Sequence, residues 1–284
     1  MPPSPKRVVL GTLLLAIALS ASVPAQTTSK QAEASAQEPT DSSFDEAIDN
    51  GVDAFKKARY AAAARHFQTA LALDPSSVTA LLYLGVTYGS QVVPNLDTPE
   101  NLATANKAID TLKQVPHGAP EYANALKQAA TLYRYTKRLD ESKATELQVL
   151  KLSPNDAEVH YTIGVIDWMQ AYNNSVQTLA SESLNDDGMG NQKLSRVTCL
   201  NLSAQNSALV QDGIDHLTRA IELKSDYDNA MQYLQLTYRR HAELACGDDT
   251  KRTEDLAQAD LWSKKAMDTR RQNESSLMER SVPK

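Results

Sequence analysis

Residues 44–77 read FDEAIDNGVDAFKKARYAAAARHFQTALALDPSS. In the second half of this stretch Tyr60, Ala63, Phe67 and Ala70 recur at three- and four-residue spacing, which puts them on one face of a helix. In the first half Gly51 stands among Val52, Ala54 and Phe55, and a residue without a side chain lets a second helix approach closely. Asp74-Pro75 ends the second helix, because proline cannot continue one. The stretch therefore predicts two short helices packed against each other.

The same phase returns down the chain. Leu81, Leu84, Gly85 and Tyr88 open a second unit, and Ala108, Leu112, Val115 and Pro120 close it. Pro75 to Pro120 is 45 residues, eleven more than the 34 of the first unit, which places an insertion near residues 90–99. Thr98-Pro99-Glu100 then restarts the helix: Thr caps it, Pro fits its first turn, and Glu suits its positive end. The third unit keeps the 34-residue length, Pro120 to Pro154, with Leu126, Ala130, Tyr133, Leu139 and Val149 in place. Ser142 and Glu146 break its apolar pattern, so its second helix is expected to pack less well or lie more exposed.

The fourth unit opens with His160, Ile163, Gly164 and Trp168 and closes with Gly213, Leu217, Ala220 and Ser225. Pro154 to Ser225 is 71 residues, which places a 37-residue insertion within residues 170–209. The fifth shows Met231, Leu234 and Tyr238, then Ala259 and Ala266, with about twelve residues inserted between the two groups.

A constant phase of 34 that carries Gly and Pro with it resembles the tetratricopeptide-repeat (TPR) family. The family pattern of a small residue at position eight, Ala at 20, an aromatic at 24, Ala at 27 and Pro at 32 is met at Gly51, Ala63, Phe67, Ala70 and Pro75. The resemblance covers residues 44–270, and the insertions are similar to those of irregular exported bacterial TPR proteins. It implies an all-α fold, a TPR-type α-solenoid of about five helix pairs with insertions in units two, four and five.

Outside the repeats the chain changes character. Lys6 and Arg7 precede an uncharged, mostly apolar run from Val8 to Val23, and Val23-Pro24-Ala25 offers small residues for a signal peptidase. Residues 1–25 are read as a signal peptide, with an uncleaved membrane anchor as the alternative. The run is shorter than the roughly 20 residues of a spanning helix. Residues 26–43 (QTTSKQAEASAQEPTDSS) are polar and without apolar rhythm and are read as a disordered linker; residues 271–284 are read as a flexible tail. Export, to the periplasm or the medium, follows from this reading. The net charge is −6, and loss of the leader removes two cations and no acid, so a phosphate backbone is repelled and nucleic-acid binding is not expected. A membrane is contacted only through an uncleaved N-terminus, if at all.

No P-loop, GxGxxG, GxSxG or HExxH motif is present, and no cofactor or metal is implied. The five histidines form no HxxxH pair, and His160 is read as a satisfied core residue. Asn185-Asp186-Asp187-Gly188 lacks the spacing of a calcium loop and is read as a flexible loop. In an oxidising compartment Cys199 and Cys246 are expected to form a disulfide, since both fall in insertions at the same end of adjacent helix pairs. The chain is therefore read as a binding protein, not an enzyme.

In TPR proteins positions five and nine of each first helix face the concave groove. The resemblance places there Ile48, Val52, Leu82, Val86, Lys127, Thr131, Tyr161, Val165, Gln232 and Leu236, with Trp168 further along the fourth first helix. The Lys/Asn/Arg clamp of some family members is absent. An apolar groove implies a partner protein or peptide that supplies an apolar or amphipathic segment, and thus an interaction scaffold of the bacterial cell envelope. Two other readings stay open: a membrane-tethered assembly factor, and an enzyme or metal protein built on residues 170–209. The insertion is also free to fold back over the groove.

Overall fold

A computed structural model describes residues 41–281. The leader, and the expected linker up to residue 40, lie outside the described residues. Residues 41–43 do not behave as linker. Asp41 accepts hydrogen bonds from Asn50 (2.8 Å) and His66 (2.7 Å), and Ser43 caps the first helix by accepting from the Glu46 amide. These three residues therefore belong to the first hairpin.

Ten helices follow among the described residues: α1 (Phe44–Lys56), α2 (Tyr60–Leu73), α3 (Val78–Gly89), α4 (Pro99–Leu112), α5 (Tyr122–Tyr135), α6 (Leu139–Leu152), α7 (Ala157–Ser181), α8 (Arg196–Leu223), α9 (Asp228–Glu243) and α10 (Asp249–Ser281). They pack as five hairpins, and the second helix of each hairpin packs on the first helix of the next. The starts are chemically marked. Ser77, Thr98, Asp156 and Ser195 each accept a backbone N–H of the first turn, and Pro99 stands at the first position of α4, as its sequence predicts.

The hairpins close on glycine. A Cβ added to Gly51 would lie 2.5 Å from the Phe67 ring, one on Gly85 2.6 Å from Leu112, and one on Gly164 2.5 Å from Leu217. Real atoms do not approach that closely, so the three first helices give up a side chain to seat one large side chain each. Phe67, Leu112 and Leu217 are consequently almost fully buried.

The third hairpin solves the same problem differently and corrects an expectation. Position eight is Ala130 there, and Ser142 and Glu146 are not exposed: both are buried, as is Val149. The small Ser142 lets the helices close, and its hydroxyl donates to the Ala130 carbonyl at 2.8 Å. Glu146 occupies the place that Phe67 fills in the first hairpin, so a carboxyl is enclosed where a ring would be.

The insertions become helix where they can. The eleven residues of unit two stay a loop, held by Asn101, which accepts from the Val93 amide and donates to the Val93 and Leu96 carbonyls. The large insertion lengthens α7 and α8 and leaves only residues 182–195 between them. The lengthened part has its own core of Ala171, Leu179, Leu194, Cys199, Leu202, Val210 and Leu244. Asn185–Gly188 is not a free loop. Arg240 donates to both carboxylate oxygens of Asp186 (2.9 and 2.8 Å), and Asp187 accepts from the amides of Met189 and Asn191. Burial pushes the Asp186 carboxyl up, but the Arg240 bonds and charge hold it below its ordinary range. The expected tail is also helical: α10 runs unbroken to Ser281 with no Gly or Pro inside it, and Arg270 and Asn273 tie it to Asp228 and the Asp226 carbonyl.

Cys199 and Cys246 form a disulfide, with α-carbons 5.5 Å apart across 47 residues of sequence. It joins the start of α8 to the α9–α10 turn, and so fastens the insertion to the fifth hairpin.

Unfolding of substituted and reduced chains tests this packing. Gly164→Val forces Leu217 or the α8 backbone to move and should lower stability by about 1–3 kcal/mol in denaturant unfolding. Gly118→Ala, where nothing lies within 4 Å, should change it by less than about 0.5 kcal/mol. Replacing Cys199 and Cys246 together by Ser should cost about 2–4 kcal/mol, and reduction of the native chain should lower its melting temperature to match.

Candidate functional site

The five first helices α1, α3, α5, α7 and α9 each present one face at i, i+4 and i+7 spacing. Those positions are Ile48, Val52 and Phe55; Leu82, Val86 and Gly89; Lys127, Thr131 and Arg134; Tyr161, Val165 and Trp168; and Gln232, Leu236 and Arg239. Most are half-buried, as expected of side chains that line a surface and also pack on neighbours. Ile48, Val52 and Leu82 rest against the core of the first hairpins. Val165 differs from its expectation. It is only 4% exposed and belongs to the interior.

Neighbouring first helices touch. Val86, Gly89 and Ser90 of the α3 side and Gln128, Thr131 and Tyr135 of α5 line a cleft of about 180 Å³. Lys127 reaches from α5 to Asp156 at 2.6 Å and to Glu158 at 3.8 Å, at the start of α7. Between α7 and α9 the contact is aromatic. Tyr161 lies 4.9 Å from Tyr227 and 5.8 Å from Tyr233, while Trp168 meets Tyr233 edge-on and stacks on Tyr172, both at 5.3 Å between ring centres. Tyr161 is thus held in a cluster and is not a free anchor.

The large insertion does not lie along the first-helix face of α7. It lengthens that helix, so that the stripe Tyr161, Val165, Trp168 continues through Tyr172 and Val176, all within a third of the helix circumference. Tyr172 is 37% exposed and Val176 is 40% exposed, the most open apolar side chains of the stripe. Residues 188–189 of the insertion loop meet α9 at the far end, where Arg239 donates to the Gly188 carbonyl at 2.9 Å. Tyr172, Val176 and Tyr233 escaped the sequence reading. The first two carry a legible signal, the unbroken i+4 rhythm from Trp168, but they fall inside a segment taken as an interruption. Tyr233 gains its role only from contact between helices.

Other candidate chemistry is internally satisfied. The Nδ1 atoms of His160 and His216 lie 2.9 Å apart, and His160 Nε2 faces the Pro154 carbonyl at 3.0 Å. Burial, then the neighbouring His160, hold the His216 imidazole below its ordinary range. Among the described residues no group of three or more His, Cys, Asp or Glu side chains is arranged to hold a metal ion. A cavity of about 440 Å³ beside the disulfide is lined by Asn191, Glu243, Cys246 and Arg252. Its buried carboxylate, Glu243, already accepts from Ser175 (2.6 Å), Asn191 (2.6 Å) and Arg240 (3.3 Å).

The junction of the third and fourth hairpins is less complete. Arg134 Nε, one Glu146 oxygen and one Asp167 oxygen are buried there without a hydrogen-bond partner. Burial raises the Glu146 carboxyl to about 7; Lys127 and Arg134 oppose this, and Asp156 and Glu158 add to it. Burial also raises Asp167 to about 6, against its 2.6 Å bond to Lys143.

No family model matches the sequence, and no curated protein matches it. Solved structures do match in fold. MamA superposes with a TM-score of 0.52 at 16% identity, covering 85% of this chain and 97% of the other. MamA from residue 41 onward, from Desulfovibrio magneticus RS-1, gives 0.53 at 13% identity over 81% and 96%. YrrB, described as a TPR protein with an unusual peptide-binding site, gives 0.50 at 13% identity over 84% and 93%. With ten helices in five stacked hairpins, the likeness establishes the TPR-type all-α solenoid fold.

Glu146 makes the stability of this junction depend on pH. Its folded value, about 7, lies above the ordinary 4.5. The folded state therefore keeps a proton that the unfolded chain releases. The contribution is fully present below about pH 4.5 and is lost as pH rises towards 7. Glu146→Gln should flatten the fall in unfolding free energy between those limits by roughly 1–3 kcal/mol. Asp167 titrates in both proteins, so the difference between them isolates Glu146.

Proposed function

We propose that this protein is an exported interaction scaffold that binds a short apolar or amphipathic segment of another protein along the first-helix face. The observation that carries the reading is the stripe on α7. Tyr161, Trp168, Tyr172 and Val176 form a row about 22 Å long, at 1.5 Å per helical residue. Its two outermost side chains remain well exposed in a chain of net charge −6 and mean hydropathy −0.43. Aromatic rows of this kind supply large contact area at small entropic cost and dominate the energetics of many interfaces. The row lies on the same helix face that the TPR resemblance assigns to ligand contact. YrrB, with the same fold, is described as having a peptide-binding site, which is consistent with the reading.

Export is supported by the charged and apolar N-terminal pattern and by a disulfide that needs an oxidising compartment to persist. The scaffold would then work in the cell envelope or outside the cell.

The test compares two faces of the same insertion. A partner captured by the native chain should bind Tyr172→Ala more weakly by about 1–3 kcal/mol, measured by titration calorimetry. Val197→Ala removes a 70% exposed side chain from α8 and should leave affinity unchanged. Equal loss in both, or loss only in Val197→Ala, would move the binding surface away from the first-helix face.

A further inference from the structure

Charge on the first-helix face is one-sided. Its i, i+4 and i+7 positions hold Lys127, Arg134 and Arg239 and no acid, in a chain that is acidic overall. Two of these cations are already committed: Lys127 to Asp156 and Glu158, and Arg239 to Asp260 at 3.1 Å. Arg134 is not. Its Nε is buried without a hydrogen-bond partner, and the Tyr135 ring lies 5.9 Å from the guanidinium carbon. The acid within its field is Glu146, which is buried and half-protonated near pH 7, so it supplies no full countercharge. Arg134 also holds on α5 the i+7 position that Trp168 holds on α7, so the two share one level of the stacked first helices.

A half-buried guanidinium without an acceptor is costly, and a charge-assisted bond to a carboxylate is the strongest way to satisfy it. Resting on the binding function argued above, we propose that the occupant of this face is a segment of a partner protein that places a carboxylate on Arg134 and apolar side chains on Trp168, Tyr172 and Val176. The geometry sets its form. From Trp168 to Val176 is eight residues of α7, about 12 Å, which equals about two turns of a partner helix or four extended residues. The acid therefore sits at one end of a segment whose apolar residues run towards the insertion.

A random twelve-residue peptide display library, panned on the full chain with its disulfide intact, tests this directly. The expected recoveries bind wild type, lose at least tenfold with Tyr172→Ala, and carry Asp, Glu or a free C-terminal carboxylate at one end of an apolar run. Arg134→Gln should weaken those peptides on the order of tenfold. Replacing the peptide's acid by its amide should weaken binding to wild type equally and add nothing in Arg134→Gln. Arg134→Lys, which keeps the charge, should recover part of the loss, and thermal unfolding of each variant shows that the fold survives. Recovered peptides that need Tyr172 but lack an acid and ignore Arg134→Gln would overturn the inference while leaving the binding face in place. Failure to recover any peptide that depends on Tyr172 would overturn both. A dimer in sedimentation that Tyr172→Ala dissolves would assign the face to a second copy of this chain and also overturn it.

Discussion

The distance between paired helices is set by the missing Cβ of Gly51, Gly85 and Gly164. Each sits under one large side chain, Phe67, Leu112 or Leu217, which an added Cβ would approach to 2.5–2.6 Å. Because the hairpins close to this spacing, the next hairpin finds an apolar face to stack on, and the first helices come into register. A helix hairpin of about 30 residues cannot bury its own apolar face, so the stack and the hairpin need each other. The third hairpin shows one alternative. With Ala130 in place of glycine, the opposing helix carries the small Ser142, and the hydroxyl bonds the facing backbone.

The insertions respect this spacing because they are absorbed along the helix axes and not between the helices. Lengthening α7 and α8 keeps their contact and adds a second core beyond the repeat. The disulfide and the Arg240–Asp186 pair then fasten that core to α9. The consequence for function is indirect but large: the same turns that build the extra core carry Tyr172 and Val176 out along the first-helix face. An extension made for packing thus lengthens the apolar row on α7.

The junction between the third and fourth hairpins follows a different logic. Buried polar groups are normally partnered, yet Arg134, Glu146 and Asp167 each keep one atom without a hydrogen bond. Burial keeps Glu146 and Asp167 partly protonated near neutral pH, which lowers the cost of enclosing them. The same protonation leaves Arg134 without an internal counter-ion. The pH dependence of stability and the proposed ligand contact therefore meet at one place, where a carboxyl replaces the aromatic ring of the first hairpin.

Much of the fold was legible in the chain. The 34-residue phase, the capping residue Thr98, the glycines of the hairpins and the stop at Pro75 are local signals, because helix starts, stops and faces depend on residues within a few positions of each other. The Cys199–Cys246 pairing was also accessible, once the repeat placed both residues at one end of adjacent hairpins. What the sequence could not decide was burial at positions that break the pattern. Glu146 reads as less well packed or more exposed and Val165 as a groove residue, yet both are enclosed, and the expected tail is helix from Arg271 to Ser281. The continuation of α7 through residues 170–181 had a signal in the i+4 rhythm from Trp168, but nothing along the chain could decide that Tyr233 would close an aromatic cluster with Tyr161 and Trp168. Helix propensity and periodicity are set along the chain, whereas enclosure is set by which neighbour arrives from another helix. That depends on the spacing of the whole stack.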